Sequence, residues 1–198
     1  MSASPFELEG KRALVTGGSR GIGRAIAFAL ADAGADVAVT SRKGDDAEPV
    51  AAAIRAKGRR SIALLLEVRV ASSIRVAFER LDREWKGLDI LVNNAGTNVP
   101  QDLVHTDEAS WDAVVDADLK GVVFVAQAAA TRMIEAKRGG RIVNVASLYG
   151  VVGVTRALAL DLAPHGITVN AVAPSLIETD PTRERMRSDP SYRDEELA

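Results

Sequence analysis

The chain has 198 residues, of which 47% are hydrophobic and 26% are charged, with a net charge of −2, two histidines and no cysteine. The length and composition fit one globular domain, the near-neutral charge argues against nucleic-acid or membrane partners, and the missing cysteines exclude disulfides and thiolate chemistry. With few histidines, no membrane-length apolar run and no signal peptide, we expect a cytoplasmic protein without a metal centre.

Six short, continuously apolar runs predict β-strands that are buried on both faces. In chain order they cover Arg12–Thr16, Asp36–Thr40, Ser61–Val68, Asp89–Asn93, Arg141–Ala146 and Ile167–Ala171. Helical spacing between them predicts helices at Gly21–Ala33, Ala47–Lys57, Ile74–Trp85, Ser110–Ala136 and Thr155–Ala163. This alternation predicts an α/β fold in a single domain, residues 1–198: a doubly wound, Rossmann-like parallel sheet with helices on both faces.

A glycine-rich turn, Thr16–Gly23, joins the first predicted strand to the first predicted helix. Glycines let the chain turn sharply and approach a pyrophosphate, while the N–H groups at a helix start face the anion. The alternative is a glycine-rich turn that binds no ligand. The placement between strand and helix favours a dinucleotide site. The candidate residues of this turn are Gly17, Ser19, Arg20, Gly21, Ile22 and Gly23.

The spacing of this turn, T-G-x-x-x-G-x-G, and the later Asn93-Asn94-Ala95-Gly96 together resemble the short-chain dehydrogenase/reductase family. The resemblance runs from about Lys11 to Thr179. It implies an oxidoreductase that interconverts a ketone and a secondary alcohol with a nicotinamide cofactor, acts on a small molecule and forms homotetramers or homodimers. It also implies that Asn94, Ala95 and Gly96 line the ribose side of the cofactor.

The end of the second predicted strand indicates which nicotinamide cofactor is used. NAD-binding chains place an acidic residue there to bind the ribose hydroxyls, but this chain has Ser41 and Arg42 and no acid until Asp45. An arginine can grip a 2′-phosphate through two hydrogen bonds, and Arg20 lies in the glycine turn on the same side. Arg42 alone could be a solvated surface charge, but the pair predicts NADP(H).

The resemblance assigns two further cofactor contacts. Glu67 and Val68 match the family's Asp-Val contact to the adenine, with Glu in place of Asp. The segment after the sixth predicted strand resembles the one that covers the nicotinamide, with Ser175 in place of Gly. Its candidate contacts are Pro174, Ile177 and Thr179.

The catalytic residues are only partly present. Ser147 matches the Ser that polarises the carbonyl, and Asp118 stands where the family has the Asn of its proton relay. The family's proton donor is a Tyr thirteen residues after the Ser, with a Lys four residues later, but those positions hold Leu160 and Pro164. The chain has two tyrosines, and neither is followed by a Lys at that spacing.

The sequence on both sides of Gly150 and Val151 resembles the family, so we expect that a segment carrying the Tyr and Lys belongs between these two residues. We also expect that a final helix and strand belong beyond the charged segment Thr182–Ala198. The alternative is a true deletion, which would make the protein a non-catalytic dinucleotide-binding protein. A continuous backbone from Gly150 to Val151 would contradict the missing segment.

Overall fold

The computed structural model describes residues 6–146, 150–175 and 177–188. A six-stranded sheet runs through them, in the order β3-β2-β1-β4-β5-β6, and every neighbouring pair is parallel. The strands are β1 Arg12–Val15, β2 Asp36–Ser41, β3 Ser61–Leu65, β4 Ile90–Asn93, β5 Gly140–Val145 and β6 Ile167–Val172. The strand order reverses at β1, which has β2 on one side and β4 on the other.

Helices connect the strands and cover both faces of the sheet. They are α1 Gly21–Asp32, α2 Gly44–Ala56, α3 Ala71–Glu84, α4 Glu108–Val115, α5 Gly121–Ala136, α6 Gly150–Leu162 and α7 Asp180–Ser188. Short 3-10 turns occur at Leu103–His105 and Ala163–His165. No helix in the described part of the chain is long and apolar enough to cross a membrane.

The core has two layers because successive strand residues point to opposite faces of the sheet. In β1, Leu14 packs with Phe78 and Met133 on the face covered by α3 and α5. Its neighbour Val15 packs with Ile54 on the face covered by α1 and α2. A strand buried on both faces must be apolar throughout, which explains the continuous hydrophobic runs. The predicted α/β fold is confirmed.

Many element boundaries up to β5 differ from the predicted ones by one to three residues, and two differences have an identifiable cause. Strand β3 ends at Leu65 rather than Val68, because its partner β2 ends at Ser41 and the chain then turns. The single long helix predicted over residues 110–136 is instead two helices, α4 and α5, joined by a π-helical turn at Asp116–Lys120. Hydrophobic spacing continues through such a turn, so the sequence pattern did not reveal it.

The last third of the described chain also departs from expectation. Helix α6 begins at Gly150, five residues before the predicted start at Thr155. It includes both Gly150 and Val151, and the segment that we expect between these two residues stays a prediction. Buried Thr155 donates a hydrogen bond from Oγ1 to the Val151 carbonyl at 2.7 Å within the first turns of this helix. Helix α7 lies in a charged stretch for which no helix was predicted.

Candidate functional site

A cleft of about 800 Å³ opens at the carboxyl ends of the central strands, where the strand order reverses. Ligands of open parallel sheets bind at this position because the connecting loops diverge there. Fourteen of the residues that line the cleft lie at the end of β2 or in the turns and helix starts that follow β1, β2 and β3: Gly17, Ser19, Arg20, Gly21, Ile22, Gly23, Ser41, Arg42, Lys43, Asp46, Leu66, Glu67, Val68 and Arg69. The others are Asn94, Ala95, Gly96, Thr97, Ala117 and Thr179.

The glycine turn is packed so tightly that side chains cannot replace two of its glycines. A Cβ on Gly17 would lie 2.9 Å from Ala95 Cα, and this residue has φ +62°, a conformation that favours glycine. A Cβ on Gly23 would lie 2.4 Å from the Gly17 carbonyl oxygen. The turn is therefore a cradle of bare backbone, which is the surface that a pyrophosphate needs for close approach.

Thr16 and Asn94 hold this cradle against the turn after β4. Thr16 Oγ1 accepts hydrogen bonds from the Asn94 and Ala95 N–H groups at 2.9 and 3.0 Å. In return, Asn94 Nδ2 donates to the Thr16 and Gly17 carbonyls at 3.0 and 3.1 Å. Asn94 therefore lines the cleft while its amide hydrogens brace the turn. Sequence reasoning missed the role of Thr16, although its place just before the glycines was a usable signal.

The start of α1 supplies the electrostatics for an anion. Arg20 is the N-cap residue and makes no side-chain cap hydrogen bond, and the first turn contains no acidic residue. The first N–H groups of a helix lack intrahelical partners, and the helix dipole adds partial positive charge there. Because Gly21, Ile22 and Gly23 all line the cleft, these N–H groups are placed to bind phosphate oxygens.

Two exposed arginines flank the cleft beyond the helix start. Arg20 and Arg42 both line it, and neither forms an ion pair with another residue in the described ranges. Buried Ser41 hydrogen-bonds through its hydroxyl to the Lys43 carbonyl, which fixes the turn that presents Arg42. The sequence analysis did not anticipate that Lys43 and Asp46 also line this end.

A salt bridge closes the far end of the cleft. Arg69 Nε and Nη2 donate to the Glu67 carboxylate at 3.0 and 2.8 Å, and the Arg69 N–H adds a third bond at 3.1 Å. These hydrogen bonds hold the pKa of Glu67 below its usual value. Val68 is buried beside Gly121, where a Cβ would lie 3.0 Å from the Val68 carbonyl oxygen. Sequence reasoning overlooked Arg69 because its pairing is visible only in the folded turn.

Asp118 lies on the π-helical turn, behind the wall of the cleft rather than in it. Its Oδ1 accepts a hydrogen bond from the Thr97 N–H at 2.8 Å and lies 3.1 Å from the position of a Cβ on Gly96. Burial raises the pKa of the Asp118 carboxyl above its usual value, although the Thr97 hydrogen bond opposes this effect. Gly96, Thr97 and Ala117 line the cleft, so Asp118 fixes the loop that forms this wall.

The structure describes only some of the residues predicted to contact the substrate and the nicotinamide. Ser147 lies outside the described residues, as do Leu148 and Tyr149. Of the three nicotinamide candidates, Thr179 lines the cleft and approaches Gly21, where a Cβ would lie 3.6 Å from Thr179 Cγ2. Pro174 and Ile177 do not line it. Among the described residues, the structure thus brings together the groups predicted around the phosphates and adenosine, and places Asp118 just behind them.

The pattern of the short chain dehydrogenase family matches residues 11–154 and 149–190. The chain belongs to the short-chain dehydrogenase family. The two matched pieces meet at residues 149–154, at the start of α6. This is also where the sequence lacks the Tyr and Lys of the family motif, so the break in the match and the missing motif fall at the same place.

Individual relatives agree with this assignment. The chain is 40% identical over 189 residues to 3-oxoacyl-(acyl-carrier-protein) reductase FabG of Staphylococcus aureus strain Mu50, covering 87% of this chain and 76% of that protein. It is 37% identical over 205 residues to 2-dehydro-3-deoxy-D-gluconate 5-dehydrogenase of Escherichia coli K12, covering 96% and 80%. A short chain dehydrogenase from Burkholderia cenocepacia J2315, solved in complex with NADP, superposes with a TM-score of 0.81 at 41% identity, covering 88% and 77%.

Proposed function

We propose that this protein binds NADP(H), and binds it more tightly than NAD(H). The observation that carries the proposal is the pair Arg20 and Arg42 at the cleft, with Ser41 and Arg42 at the end of β2 where NAD-binding chains have an acid. The glycine cradle and the start of α1 would hold the pyrophosphate, and the two guanidinium groups would bind the 2′-phosphate. The NADP complex of the Burkholderia relative is consistent with this choice.

For the reaction, the first candidate is the interconversion of a ketone and a secondary alcohol. Family membership favours it, as do the names of the relatives, a 3-oxoacyl-(acyl-carrier-protein) reductase and a 2-dehydro-3-deoxy-D-gluconate 5-dehydrogenase. The bound cofactor would supply or accept the hydride. In this chain Ser147 would polarise the carbonyl. Asp118 would stand at the position of the family's relay residue, where it accepts a hydrogen bond from the Thr97 N–H and so holds the loop of Gly96 and Thr97 in place.

The second candidate is dinucleotide binding without turnover. It is favoured by one specific observation: the sequence contains no Tyr-x-x-x-Lys. Reduction of a ketone needs a proton donor beside the nascent alkoxide, and the family takes its donor from that motif. NADP(H) binding is common to both candidates and is therefore the conclusion that the site supports best.

The binding proposal is tested by titrating the purified protein with NADPH and with NADH and following cofactor fluorescence. We expect a smaller Kd for NADPH, and we expect Arg42→Gln to raise that Kd about tenfold or more while leaving the Kd for NADH nearly unchanged. A charged hydrogen bond contributes roughly 1.5–3 kcal/mol, and about 1.4 kcal/mol corresponds to a factor of ten. Tighter binding of NADH by the unaltered protein would refute the proposal.

Lys57→Gln provides the matched control because it also removes one cation, but at the opposite end of α2 from Arg42. Lys57 pairs with Asp32 on the surface at 2.6 Å and does not line the cleft. Incubation with NADPH and a panel of 3-oxoacyl thioesters and keto-sugar acids then separates the two reaction candidates. Oxidation of NADPH that depends on one of these ketones supports turnover, whereas saturable binding without oxidation supports the second candidate.

We further propose that the protein works in the cytoplasm as a homotetramer or homodimer. The support for self-association is a set of large apolar side chains that α4 and α5 leave on the surface, including Trp111 at 62% exposure and Phe124 at 41%. Exposed aromatic residues of this size are common in protein interfaces. Sedimentation of the unaltered protein and of Trp111→Ser, which should dissociate more readily, tests this point.

A further inference from the structure

The Glu67–Arg69 salt bridge lies in the same cleft as the two arginines proposed for the 2′-phosphate. Four cationic side chains line this cleft, Arg20, Arg42, Lys43 and Arg69, and two carboxylates do, Asp46 and Glu67. A phosphate group bound here is attracted by the cations and repelled by the carboxylates. The charge state and pairing of each carboxylate therefore affect how tightly the phosphate binds.

Glu67 is the carboxylate that can interfere most directly. It follows β3, the strand next to β2, and β2 ends at the turn carrying Arg42. Its side chain is only 23% exposed, so water screens it incompletely. The two residues line the same cleft, and the Leu66 N–H next to Glu67 donates to the carbonyl of Ser41 next to Arg42 at 2.9 Å, so the two side chains start from adjacent backbone positions. The positive charge of Arg42 also makes a small contribution to lowering the pKa of Glu67, after the larger effect of Arg69. Without another partner, Glu67 would draw Arg42 to itself and repel the phosphate.

Arg69 neutralises the Glu67 carboxylate and so prevents it from pairing with Arg42. It binds both carboxylate oxygens through its guanidinium and one of them again through its backbone N–H. All three donors belong to one residue, two positions along the chain, in a turn that is closed by a hydrogen bond from the Val70 N–H to the Glu67 carbonyl at 3.1 Å. The pair is thus formed locally and loses little additional entropy on folding.

We propose that Arg69 is a positioning residue for cofactor choice: by neutralising Glu67 it leaves Arg42 available to bind the 2′-phosphate of NADP(H). The inference rests on the proposed NADP(H) function and adds a residue that acts through another rather than on the cofactor. Glu67 stands where the family has an acidic residue that contacts the adenine, and its pairing with Arg69 keeps its negative charge from repelling the 2′-phosphate. Arg69 therefore affects binding of the 2′-phosphate, which NADPH has and NADH lacks.

The experiment compares Arg69→Gln with the double variant Arg69→Gln/Glu67→Gln, measuring the Kd values of NADPH and NADH for each. The single variant leaves Glu67 unpaired, and we expect its Kd for NADPH to rise about tenfold while that for NADH changes less than about threefold. The double variant removes the carboxylate charge as well, and any lost contact to the adenine weakens NADPH and NADH alike, so we expect the ratio of its two Kd values to return to within about threefold of that of the unaltered protein.

The same titrations with 2′,5′-ADP and with ADP provide a readout that a merely structural role would not change selectively. Arg69→Gln should weaken binding of 2′,5′-ADP and leave that of ADP nearly unchanged. Arg75→Gln is the control: it breaks another Arg–Glu pair, Arg75 with Glu79 at 2.7 Å on α3, away from the cleft. If Arg69→Gln does not fold, Arg69→Lys keeps the charge and should retain the preference for NADPH.

Three outcomes would overturn the inference. One is equal weakening of NADPH and NADH in Arg69→Gln, which would mean a general structural role. Another is a double variant whose ratio of Kd values stays as altered as that of the single one, which would mean that Arg69 contacts the phosphate itself. The third is an unchanged preference in Arg69→Gln. By contrast, an unaltered protein that does not prefer NADPH would refute the proposed function first, so the two failures are distinguishable.

Discussion

The two ends of the sheet's carboxyl edge are built differently. Around β1 and β4, side-chain hydrogen bonds from Thr16 and Asn94 link two turns that are far apart in the chain, and both turns line the cleft. Around β5 and α6, the polar contacts are deeply buried: Asn93 Nδ2 donates to Asn144 Oδ1 at 3.0 Å, and Asn144 Nδ2 donates to Thr155 Oγ1 at 2.9 Å.

The first network lies at the cleft, whereas the second lies between the sheet and α6. The Thr16–Asn94 network shapes a surface on which a pyrophosphate can lie, whereas the Asn93–Asn144–Thr155 network fastens α6 to the sheet. In the family the region of α6 also carries the Tyr and Lys, and here it carries neither. If the first network shapes the proposed cofactor site and the second fastens α6, substitutions at the two ends should have separable effects.

The largest effect is expected for Gly23→Val. Its Cβ would lie 2.4 Å from both the Gly17 carbonyl oxygen and Asn94 Nδ2, so the cradle would have to open. We expect the Kd for NADPH to rise more than about a hundredfold, since the phosphates lose most of their N–H donors. Gly153→Ala is the control because a Cβ there has no neighbour within 4 Å. Undiminished NADPH binding by Gly23→Val would refute the proposed position of the pyrophosphate.

Thr16→Val should affect both stability and binding. It removes the acceptor of two N–H groups, those of Asn94 and Ala95, and an unpaired buried donor costs about 1–3 kcal/mol. We expect the free energy of unfolding in urea to fall by roughly 2–4 kcal/mol. The Kd for NADPH should rise about tenfold as the two turns separate. Retention of the original Kd would mean that the network does not shape the cleft.

Thr155→Val tests the other end and should change stability alone. It leaves Asn144 Nδ2 without its Thr155 acceptor in a fully buried position, so we expect a loss of roughly 1–3 kcal/mol of unfolding free energy. The Kd for NADPH should stay within about twofold, and Thr155→Ser, which keeps the hydroxyl, should recover most of the stability. A large change in Kd would contradict the separation of the two networks.

The smallest effect is expected at Asp118, and it depends on pH. Burial raises the pKa of this carboxyl in the folded state, so its ionisation disfavours folding, and stability is lost as the pH rises through the folded pKa. Asp118→Asn keeps an acceptor for the Thr97 N–H without the charge. We expect it to raise Tm by roughly 2–4 °C at pH 7, equivalent to about 1 kcal/mol.

This difference should disappear in acid, where Asp118 is protonated in both the folded and the unfolded chain. Thermal unfolding of both proteins between pH 3 and pH 8 measures it. Asp107→Asn is a useful counterpart because hydrogen bonds from Ser110 lower the pKa of that exposed carboxylate, so its substitution should not stabilise the protein at pH 7. A constant difference between Asp118→Asn and the unaltered protein at all pH values would refute the titration.

Much of the fold followed from local patterns. The apolar runs predicted all six strands in order, and the glycine spacing predicted the turn between β1 and α1, because both depend on residues that are adjacent in sequence. The ends of elements were less predictable. Leu66 and Val68 read as strand, but β3 stops at Leu65 because pairing requires a partner and β2 has ended. The early start of α6 likewise depends on how Thr155 packs against β5.

The candidate site divides in the same way. The sequence by itself determined the family, the glycine turn between β1 and α1 and the placement of Arg20 and Arg42 near it, since residue type and spacing are enough to specify them. Only the tertiary structure decided that Thr16 braces the cradle and that Asp118 fixes its wall, through contacts across 78 and 21 residues of chain. Such contacts depend on which strands become neighbours, and strand order is a property of the whole sheet rather than of any one segment.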